Sequence, residues 1–383
     1  MCQLPFLSRL QCSFHNSVDG QYFSALANSN IEELSVVALY PNIFYKNLFA
    51  AFSQNTTLKH LTIFPNPLEI EEISEISKMK GLKIFETNVL KFKDVEFLWR
   101  NSSIEHLVIN ELDITSSYLK SPGDTGFKSP VSLKKMVLQT PISFRECQYL
   151  IMLESLESLE CEFKDTKNIN ILTDLKNLKV LNIKKEREDE YEDEYEDGED
   201  IRLRESYWEL YRDLALKKSS TLKELHAPIR LQEELYEIKK IKSLITLNIS
   251  YSSNIECLVE LTDLETLYIS DVRNSENIIP IFRSCKKLSF VQLKFEVTWR
   301  PHPDFLREVI NILKLIRNPE IQKPLQLTIL YDMGENIEEL MAVIWKLNWS
   351  SCLLILGISK IGPLNKLIVF TNVYILGFII IHV

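Results

Sequence analysis

Glycine is scarce in this chain, which has 9 glycines and 14 prolines among 383 residues. Loops that hold a phosphate need glycines at fixed spacing, and neither G-x-x-x-x-G-K-S/T nor G-x-G-x-x-G occurs. The G-x-S-x-G motif of serine hydrolases and the H-E-x-x-H motif of zinc proteases are also missing. Low glycine and proline contents further argue against a largely disordered chain. We therefore predict a folded protein that is not an enzyme and uses no cofactor.

Paired cysteines are also missing, because the seven cysteines form no C-x-x-C motif and are scattered along the chain. An odd, scattered set indicates a reducing compartment. The first residues, MCQLPFLSRLQCSF, contain no apolar run of the length found in secretory signal peptides. These observations predict a cytoplasmic or nuclear protein. The six histidines are dispersed as well, and we predict no metal site.

Outside one segment, the chain carries almost no excess charge. The net charge is −9, and Glu186–Asp200 alone contributes −10 through eleven acidic residues and one basic residue, which leaves +1 for the rest. So small an excess provides no field that would draw the protein to nucleic acid or to a membrane surface. We therefore predict no nucleic-acid partner. We interpret the acidic segment as a solvated, disordered loop, with binding of cations or of a basic partner as the alternative.

A short apolar phrase, L-x-x-L-x-I, returns along the chain. It begins at Leu244, for example, and again 20 residues later at Leu264. Its first residues are Leu7, Ile31, Leu58, Leu82, Ile104, Leu133, Leu156, Leu178, Leu222, Leu244, Leu264 and Leu288, with a weaker copy near Leu325 and a clear one at Leu353. A period of about 20–29 residues is typical of leucine-rich repeats. The one longer interval, between 178 and 222, contains the acidic segment.

Each repeat has the pattern of a strand followed by a helix. Alternating apolar and polar residues in the phrase predict a strand with one buried face, and apolar residues between the phrases recur with helical spacing. The predicted helices are Ile43–Ser53, Glu69–Met79, Ser143–Met152, Leu203–Leu216, Glu233–Lys240 and Asn277–Ser284, with two more around 306–313 and 337–344. Such a unit covers its apolar edges only against its neighbours. We therefore predict the α/β fold of a leucine-rich repeat solenoid, a horseshoe with a parallel sheet on the concave face and helices on the convex face.

The predicted solenoid occupies residues 1–362 and contains two loop insertions. Residues 116–130 are rich in glycine, proline and serine, and residues 184–200 form the acidic loop. Residues 363–383 form an apolar C-terminal tail, in which Leu367–Val383 carries no formal charge when His382 is neutral. This stretch is at the short limit for a membrane span. It could be a cap that closes the solenoid, a membrane anchor, or sequence from a misread gene end.

The strand residues that point away from the core are the candidate binding residues. In a solenoid these positions form one continuous surface of side chains that are not needed for packing. The candidates on the concave face are His60, Thr62, His106, Asn110, Glu160, Asn182, His226, Asn248, Tyr268, Ser270 and Gln292. Val108 and Glu224 have the same placement. We predict that Asn182, His226, Asn248, Tyr268 and Gln292 form a single row, because each lies between the two apolar residues of its strand. The predicted partner is a protein ligand.

The repeats resemble those of ribonuclease-inhibitor-like proteins and, more narrowly, those of the large fungal families of F-box proteins with C-terminal leucine-rich repeats. The resemblance rests on LKHLTI, IEHLVI, LKVLNI, LKELHA, LITLNI and LETLYI, and it covers Leu7 to about Ile358. It implies a protein-recognition scaffold, and it further implies the substrate-recognition part of an SCF-type ubiquitin ligase. A Skp1-type adaptor would be a partner if an F-box lies upstream, since the six residues before Leu7 are too few for one. The alternative is a membrane-tethered, receptor-like repeat protein that uses the C-terminal apolar segment.

Overall fold

The chain forms two compact units, Met1–Glu186 and Arg187–Val383. The computed structural model describes residues 6–14, 28–38, 45–64, 68–91, 98, 103–113, 132–184, 206–250, 255–295, 303–317, 325–332, 354–361, 367–368 and 379–382. The predicted loop at 116–130, the acidic segment and the predicted helix at 337–344 lie outside the described residues.

The first unit is built on parallel strands that pair in chain order. Its strands are β1 (Arg9–Phe14), β2 (Glu33–Ala38), β3 (His60–Phe64), β4 (Ile84–Lys91), β5 (His106–Asp113), β6 (Lys135–Leu138), β7 (Ser158–Cys161) and β8 (Val180–Ile183). The apolar residues of successive phrases are register partners, as Leu34, Leu61 and Phe85 show. Parallel pairing of neighbours requires a crossover between them.

Short helices make several of these crossovers. In the first unit α1 (Lys46–Ser53) connects β2 to β3, α2 (Ile70–Ser77) connects β3 to β4, and α3 (Phe144–Leu150) connects β6 to β7. A 3-10 helix, Ile169–Asp174, connects β7 to β8. All of them bury apolar side chains, so each connection adds to the core as well as closing the repeat.

The second unit continues the same plan. Its parallel strands are β9 (Glu224–Ala227), β10 (Thr246–Ser250), β11 (Thr266–Val272), β12 (Phe290–Phe295), β13 (Leu325–Asp332) and β14 (Leu354–Ile361), again paired in chain order. Two strands from the C-terminal apolar stretch pair with β14, namely β15 (Leu367–Ile368), which is antiparallel, and β16 (Ile379–His382), which is parallel. Within the described part of the chain, no helix has the length and apolar character needed to cross a membrane.

The helices of the second unit are α4 (Trp208–Lys218), α5 (Gln232–Ile238), α6 (Ile279–Ser284) and α7 (Pro303–Ile316). The predicted helices that fall on described residues are therefore confirmed, with ends that differ by a few residues. The connection from β10 to β11, over which no helix was predicted, is a 3-10 helix, Ile255–Glu260. A 3-10 helix rises about 2.0 Å per residue against about 1.5 Å in an α-helix. A 3-10 helix therefore covers the same distance with fewer residues than an α-helix needs. This suits the interval between Leu244 and Leu264, which at 20 residues is the shortest between successive phrases.

The apolar residues of the phrase form the core of both units. The first residue of each phrase is at most 1% exposed in the phrases that begin at Ile31 to Leu288. Leu7, the first residue of the phrase that leads into β1, is half-buried. Leu247 is fully buried between its register partners Leu225 and Leu267. Parallel strands in chain order, leucines stacked in register and helical crossovers together confirm the predicted α/β leucine-rich repeat fold.

A buried glutamate fastens two successive helices in each unit, which the repeat pattern did not predict. The side chain of Glu72 in α2 accepts a hydrogen bond from the N–H of Glu69, at the start of the same helix, at 2.9 Å. It accepts a second one from the N–H of Tyr45, which lies 27 residues earlier at the start of α1, at 2.5 Å. Glu234 in α5 does the same with the N–H groups of Leu231 at 2.9 Å and of Tyr207, again 27 residues earlier, at 2.6 Å. Each carboxylate therefore accepts hydrogen bonds from backbone N–H groups at the starts of two neighbouring helices.

Candidate functional site

The strands present a second set of side chains on the face opposite the core. On β10, for example, Leu247 and Ile249 are buried while Thr246, Asn248 and Ser250 are half-exposed. We call these half-exposed positions of the strands the outward face. All eleven predicted site residues lie on strands at such positions. The structure divides them between the two units, with six in the first and five in the second.

In the second unit, four of the predicted residues form a row. His226, Asn248, Tyr268 and Gln292 are successive register partners on β9, β10, β11 and β12. Neighbouring strands are about 4.8 Å apart, so each side chain in this row stands beside the next. Asn182, the fifth residue of the predicted row, lies on β8 in the first unit.

A hydrogen-bonded chain fixes one end of this row. Nε2 of His226 lies 2.8 Å from Oε1 of Glu224. A carboxylate only accepts hydrogen bonds, so Nε2 donates to Glu224, and Nδ1 faces the amide of Asn248. The Asn248 Nδ2 donates to this Nδ1 at 3.1 Å. The amide of Asn248 is therefore oriented by the ring, and its Oδ1 points away from His226.

Two aromatic rings stand at the other end. Tyr268 and Phe290 have ring centroids 5.3 Å apart with an interplanar angle of 45°. Phe290 lies beside Thr266, its register partner, and both rings are half-exposed. Tilted pairs at this separation are favourable arrangements of aromatic quadrupoles. The pair therefore gives the outward face a supported apolar area next to the polar chain.

Ser270 lies where the outward face of β11 ends. Its hydroxyl donates to Oδ2 of Asp271 at 3.0 Å, and Asp271 has a positive φ of 58°. The strand register shifts at this point, between Ile269 and Val272. Aspartate tolerates the left-handed region better than most residues, which explains its place at the irregularity.

In the first unit, His60 and Thr62 meet a glutamate on the next strand. The Thr62 hydroxyl donates to Oε2 of Glu86 at 3.3 Å and lies 3.2 Å from Nε2 of His60. The same Nε2 lies 3.3 Å from Oε1 of Glu86. A nucleophile, base and orienting acid would use both ring nitrogens, one for each partner. Both contacts here use one nitrogen, so the cluster does not have the arrangement of such a triad.

His106 occupies a more enclosed place on the same face. It stands two strands from His60, with Ile84 between them in register. Its Nε2 is buried and has no hydrogen-bond partner among the described residues, and burial followed by the charge of Lys135 lowers the pKa of His106. Val108 was expected to be an exposed outward residue, but it is only 8% exposed, because its neighbours cover it.

The remaining candidates of the first unit have polar partners of their own. The Asn110 Nδ2 donates to Oδ1 of Asn88 at 2.9 Å. Glu160 forms an ion pair with Lys184 at 3.1 Å and is the register partner of Asn182. The carboxylate of Glu160 is therefore already neutralised by a lysine of this chain.

Three residues that contribute to these clusters were missed in the sequence, namely Glu86, Asn88 and Phe290. Phe290 precedes Val291, the first buried residue of β12, which is the position that Glu224 holds on β9. The alternation of the phrase could have identified Phe290, because it marks this position as outward. No sequence signal shows that Asn88 contacts Asn110, since their strands continue beyond the phrase.

The described residues include no group of three or more histidines, cysteines or carboxylates that could hold a metal ion. The five cysteines that the structure describes, at positions 12, 147, 161, 257 and 285, are free thiols. Burial raises the pKa of Cys147 to about 12 and that of Cys285 to about 11. Thiols of this kind pack as small apolar groups and are poor nucleophiles.

Comparisons with known proteins assign the chain to no family. No protein-family model matches it, and no curated protein matches it either. Among solved structures, it is similar to an internalin from Listeria monocytogenes, with a TM-score of 0.35 and 15% sequence identity. This match covers 77% of this chain and 82% of the internalin. At that TM-score and identity the likeness supports no conclusion about function.

Proposed function

We propose that the chain is a protein-recognition scaffold and that its outward sheet face binds a protein partner. The row from His226 to Gln292 is the observation that carries this proposal. It combines hydrogen-bonding groups with a tyrosine on strands whose other face is fixed in the core. Side chains held in place before binding lose little entropy when a partner arrives.

Tyr268 is the residue expected to contribute most. Tyrosine is enriched at binding hot spots because it offers a large contact area with few rotatable bonds. Here the contact with Phe290 already limits the orientation of the ring. Gln292, its register partner, supplies an amide donor and an acceptor directly beside it.

The test begins with affinity purification of the full chain and identification of its partners by mass spectrometry. The dissociation constant of a purified partner is then measured for the wild type, Tyr268→Ala, Gln292→Ala and the double variant. We expect Tyr268→Ala to weaken binding by more than about 1 kcal/mol without loss of thermal stability. Lys239→Ala is the control, because Lys239 caps helix α5 and pairs with Glu260 at 2.8 Å on another surface. Binding that survives the double variant but is lost in helix variants would reject the proposal.

A narrower form of the proposal is substrate recognition for an SCF-type ubiquitin ligase. Only the resemblance of the repeats to those of fungal F-box proteins supports it. Co-purification of a Skp1-type adaptor with the product of the full gene would support this role. Recovery of a single partner without any adaptor would favour a simple scaffold.

Free cysteines are consistent with the proposed cytoplasmic or nuclear location.

A further inference from the structure

We propose that the outward face of β9–β12 binds a positively charged side chain, an arginine or a lysine, from an extended segment of the partner protein. This inference rests on the proposed function and specifies the chemistry of the partner. Three features of the face support it, namely the groups left to accept hydrogen bonds, the aromatic pair beside them, and the distribution of charge.

The hydrogen-bonded chain on β9 and β10 presents acceptors to a ligand. His226 is held between Glu224 and Asn248, so both of its nitrogens are engaged within the protein. The donor group of Asn248 is used toward the ring, which turns its Oδ1 away from His226. The second carboxylate oxygen of Glu224 is likewise an acceptor. A ligand that complements this end must therefore bring hydrogen-bond donors, and arginine and lysine carry several donors together with a positive charge.

The aromatic pair stands where such a cation would extend. Tyr268 is the register partner of Asn248, so the two side chains start from neighbouring strands about 4.8 Å apart. A guanidinium or ammonium group over the face of an aromatic ring is attracted by the ring quadrupole. Phe290 supports the Tyr268 ring at a centroid distance of 5.3 Å. The same cation can therefore contact an amide oxygen and an aromatic ring.

Negative and positive charges lie on different strands of this face. Among the outward positions of β9–β12, the formally charged residues are Glu224 on β9, Asp271 on β11 and Lys294 on β12. The two carboxylates lie on β9 and β11 and the lysine lies on β12, so the end formed by β9–β11 favours a cation. In the first unit, by contrast, the carboxylate of Glu160 is paired with Lys184, and that of Glu86 lies between Thr62 and Val108 in register and contacts His60. The second unit is therefore the place where a carboxylate, an oriented amide and an aromatic pair come together.

The test uses random short peptides displayed on phage and selected on the immobilised full-length chain. Selected peptides are synthesised with a fluorophore, each in two forms, one with arginine and one with citrulline in its place. Citrulline keeps the shape of arginine and removes its charge. Dissociation constants are measured for the wild type, Glu224→Gln, Tyr268→Ala and the control Lys239→Ala, after thermal melts have shown that each variant is folded.

We expect peptides whose binding is lost in Tyr268→Ala to be rich in arginine or lysine. Citrulline should weaken their binding to the wild type by at least about tenfold. With Glu224→Gln the difference between arginine and citrulline should shrink to less than about threefold, because the two charges are coupled. Lys239→Ala should behave as the wild type does.

Two results would overturn the inference while leaving the proposed function intact. One is a set of peptides that need Tyr268 but bind equally well with citrulline, and the other is selection of acidic peptides on the same face. Failure to select any peptide that depends on Tyr268 would also count against the inference. Peptides that bind unchanged to both Glu224→Gln and Tyr268→Ala, but are lost in helix variants, would reject the inference and the proposed function together.

Discussion

Replacement of Glu234 by alanine should destabilise the second unit strongly. The Glu234 carboxylate is 0% exposed and accepts hydrogen bonds from the N–H groups of Tyr207, Arg230 and Leu231 at 2.6, 2.6 and 2.9 Å. It also accepts from the hydroxyl of Ser206 at 3.0 Å. Alanine provides no acceptor, and water has little access to the site. The donors at the start of α4 and α5 therefore lose their partner.

The magnitude follows from the number of donors. A buried donor left without a partner costs about 1–3 kcal/mol, and the losses within one network are not additive. We therefore expect a decrease in the free energy of unfolding of about 3–5 kcal/mol for Glu234→Ala. Glu234→Gln keeps one acceptor but turns an amide N–H₂ toward backbone donors, so about 1–3 kcal/mol is expected. Glu233→Ala, an exposed neighbour on the same helix, should change the value by less than about 0.5 kcal/mol.

Urea unfolding followed by far-ultraviolet circular dichroism gives the free energies, and hydrogen exchange of the peptide covering 206–218 shows where protection is lost. The exchange measurement is the more specific, because the Tyr207 N–H is bound to a residue 27 positions away. If Glu234→Ala cost less than about 1 kcal/mol, or if protection of this peptide were unchanged, the carboxylate would not fasten the two helices.

Three further predictions concern the core, a titrating glutamate and the acidic segment. Leu247→Ala should lower the free energy of unfolding by about 2–5 kcal/mol. Asn248→Ala should lower it by at most about 1 kcal/mol, because it loses one half-exposed hydrogen bond. Equal urea midpoints for the two variants would contradict the assignment of the two strand faces. Burial raises the pKa of Glu72, so the folded state binds its proton more tightly than the unfolded chain does. The contribution of Glu72 to stability should therefore be greatest below the ordinary glutamate pKa and should be lost as the pH rises through the raised value. Urea titrations that extend upward from the ordinary glutamate pKa should show this slope in the wild type, and Glu72→Gln should remove it. Deletion of Glu186–Asp200 should leave the melting temperature within a few degrees, because each doubling of a loop costs only about 0.6 kcal/mol; a melt that is no longer cooperative would show that the segment contributes to packing.

The period of the leucines was sufficient to predict most of the fold. It placed Leu225, Leu247 and Leu267 in one buried register, because the buried face of a strand repeats every second residue and the repeat length sets which strands meet. The connections were less predictable. A 3-10 helix such as Ile255–Glu260 differs from an α-helix in the number of residues that must span the repeat, and periodicity over six residues does not report this difference.

The candidate site could be predicted as a surface but not as a set of contacts. Alternation identified His226 and Asn248 as outward residues, and the repeat length made them neighbours. It could not show that Glu224 turns toward His226, because side-chain direction on an exposed face depends on rotamers and partners and not on spacing. The Glu234 network was missed for a related reason. A glutamate in the first turn of a helix looks like an ordinary capping residue, and only the structure brings it to Tyr207.

Site-specific photocrosslinking of the bound partner shows directly which face of the protein the partner touches. A photoreactive amino acid is placed at Gln292 in one variant and at Lys239 in another, and each complex is irradiated. We expect a covalent product from the position of Gln292, on the outward face of β12, and none from the position of Lys239 at the end of α5. A product from Lys239 without one from Gln292 would show that the partner binds the helices, and it would contradict the assignment of the sheet face as the recognition surface.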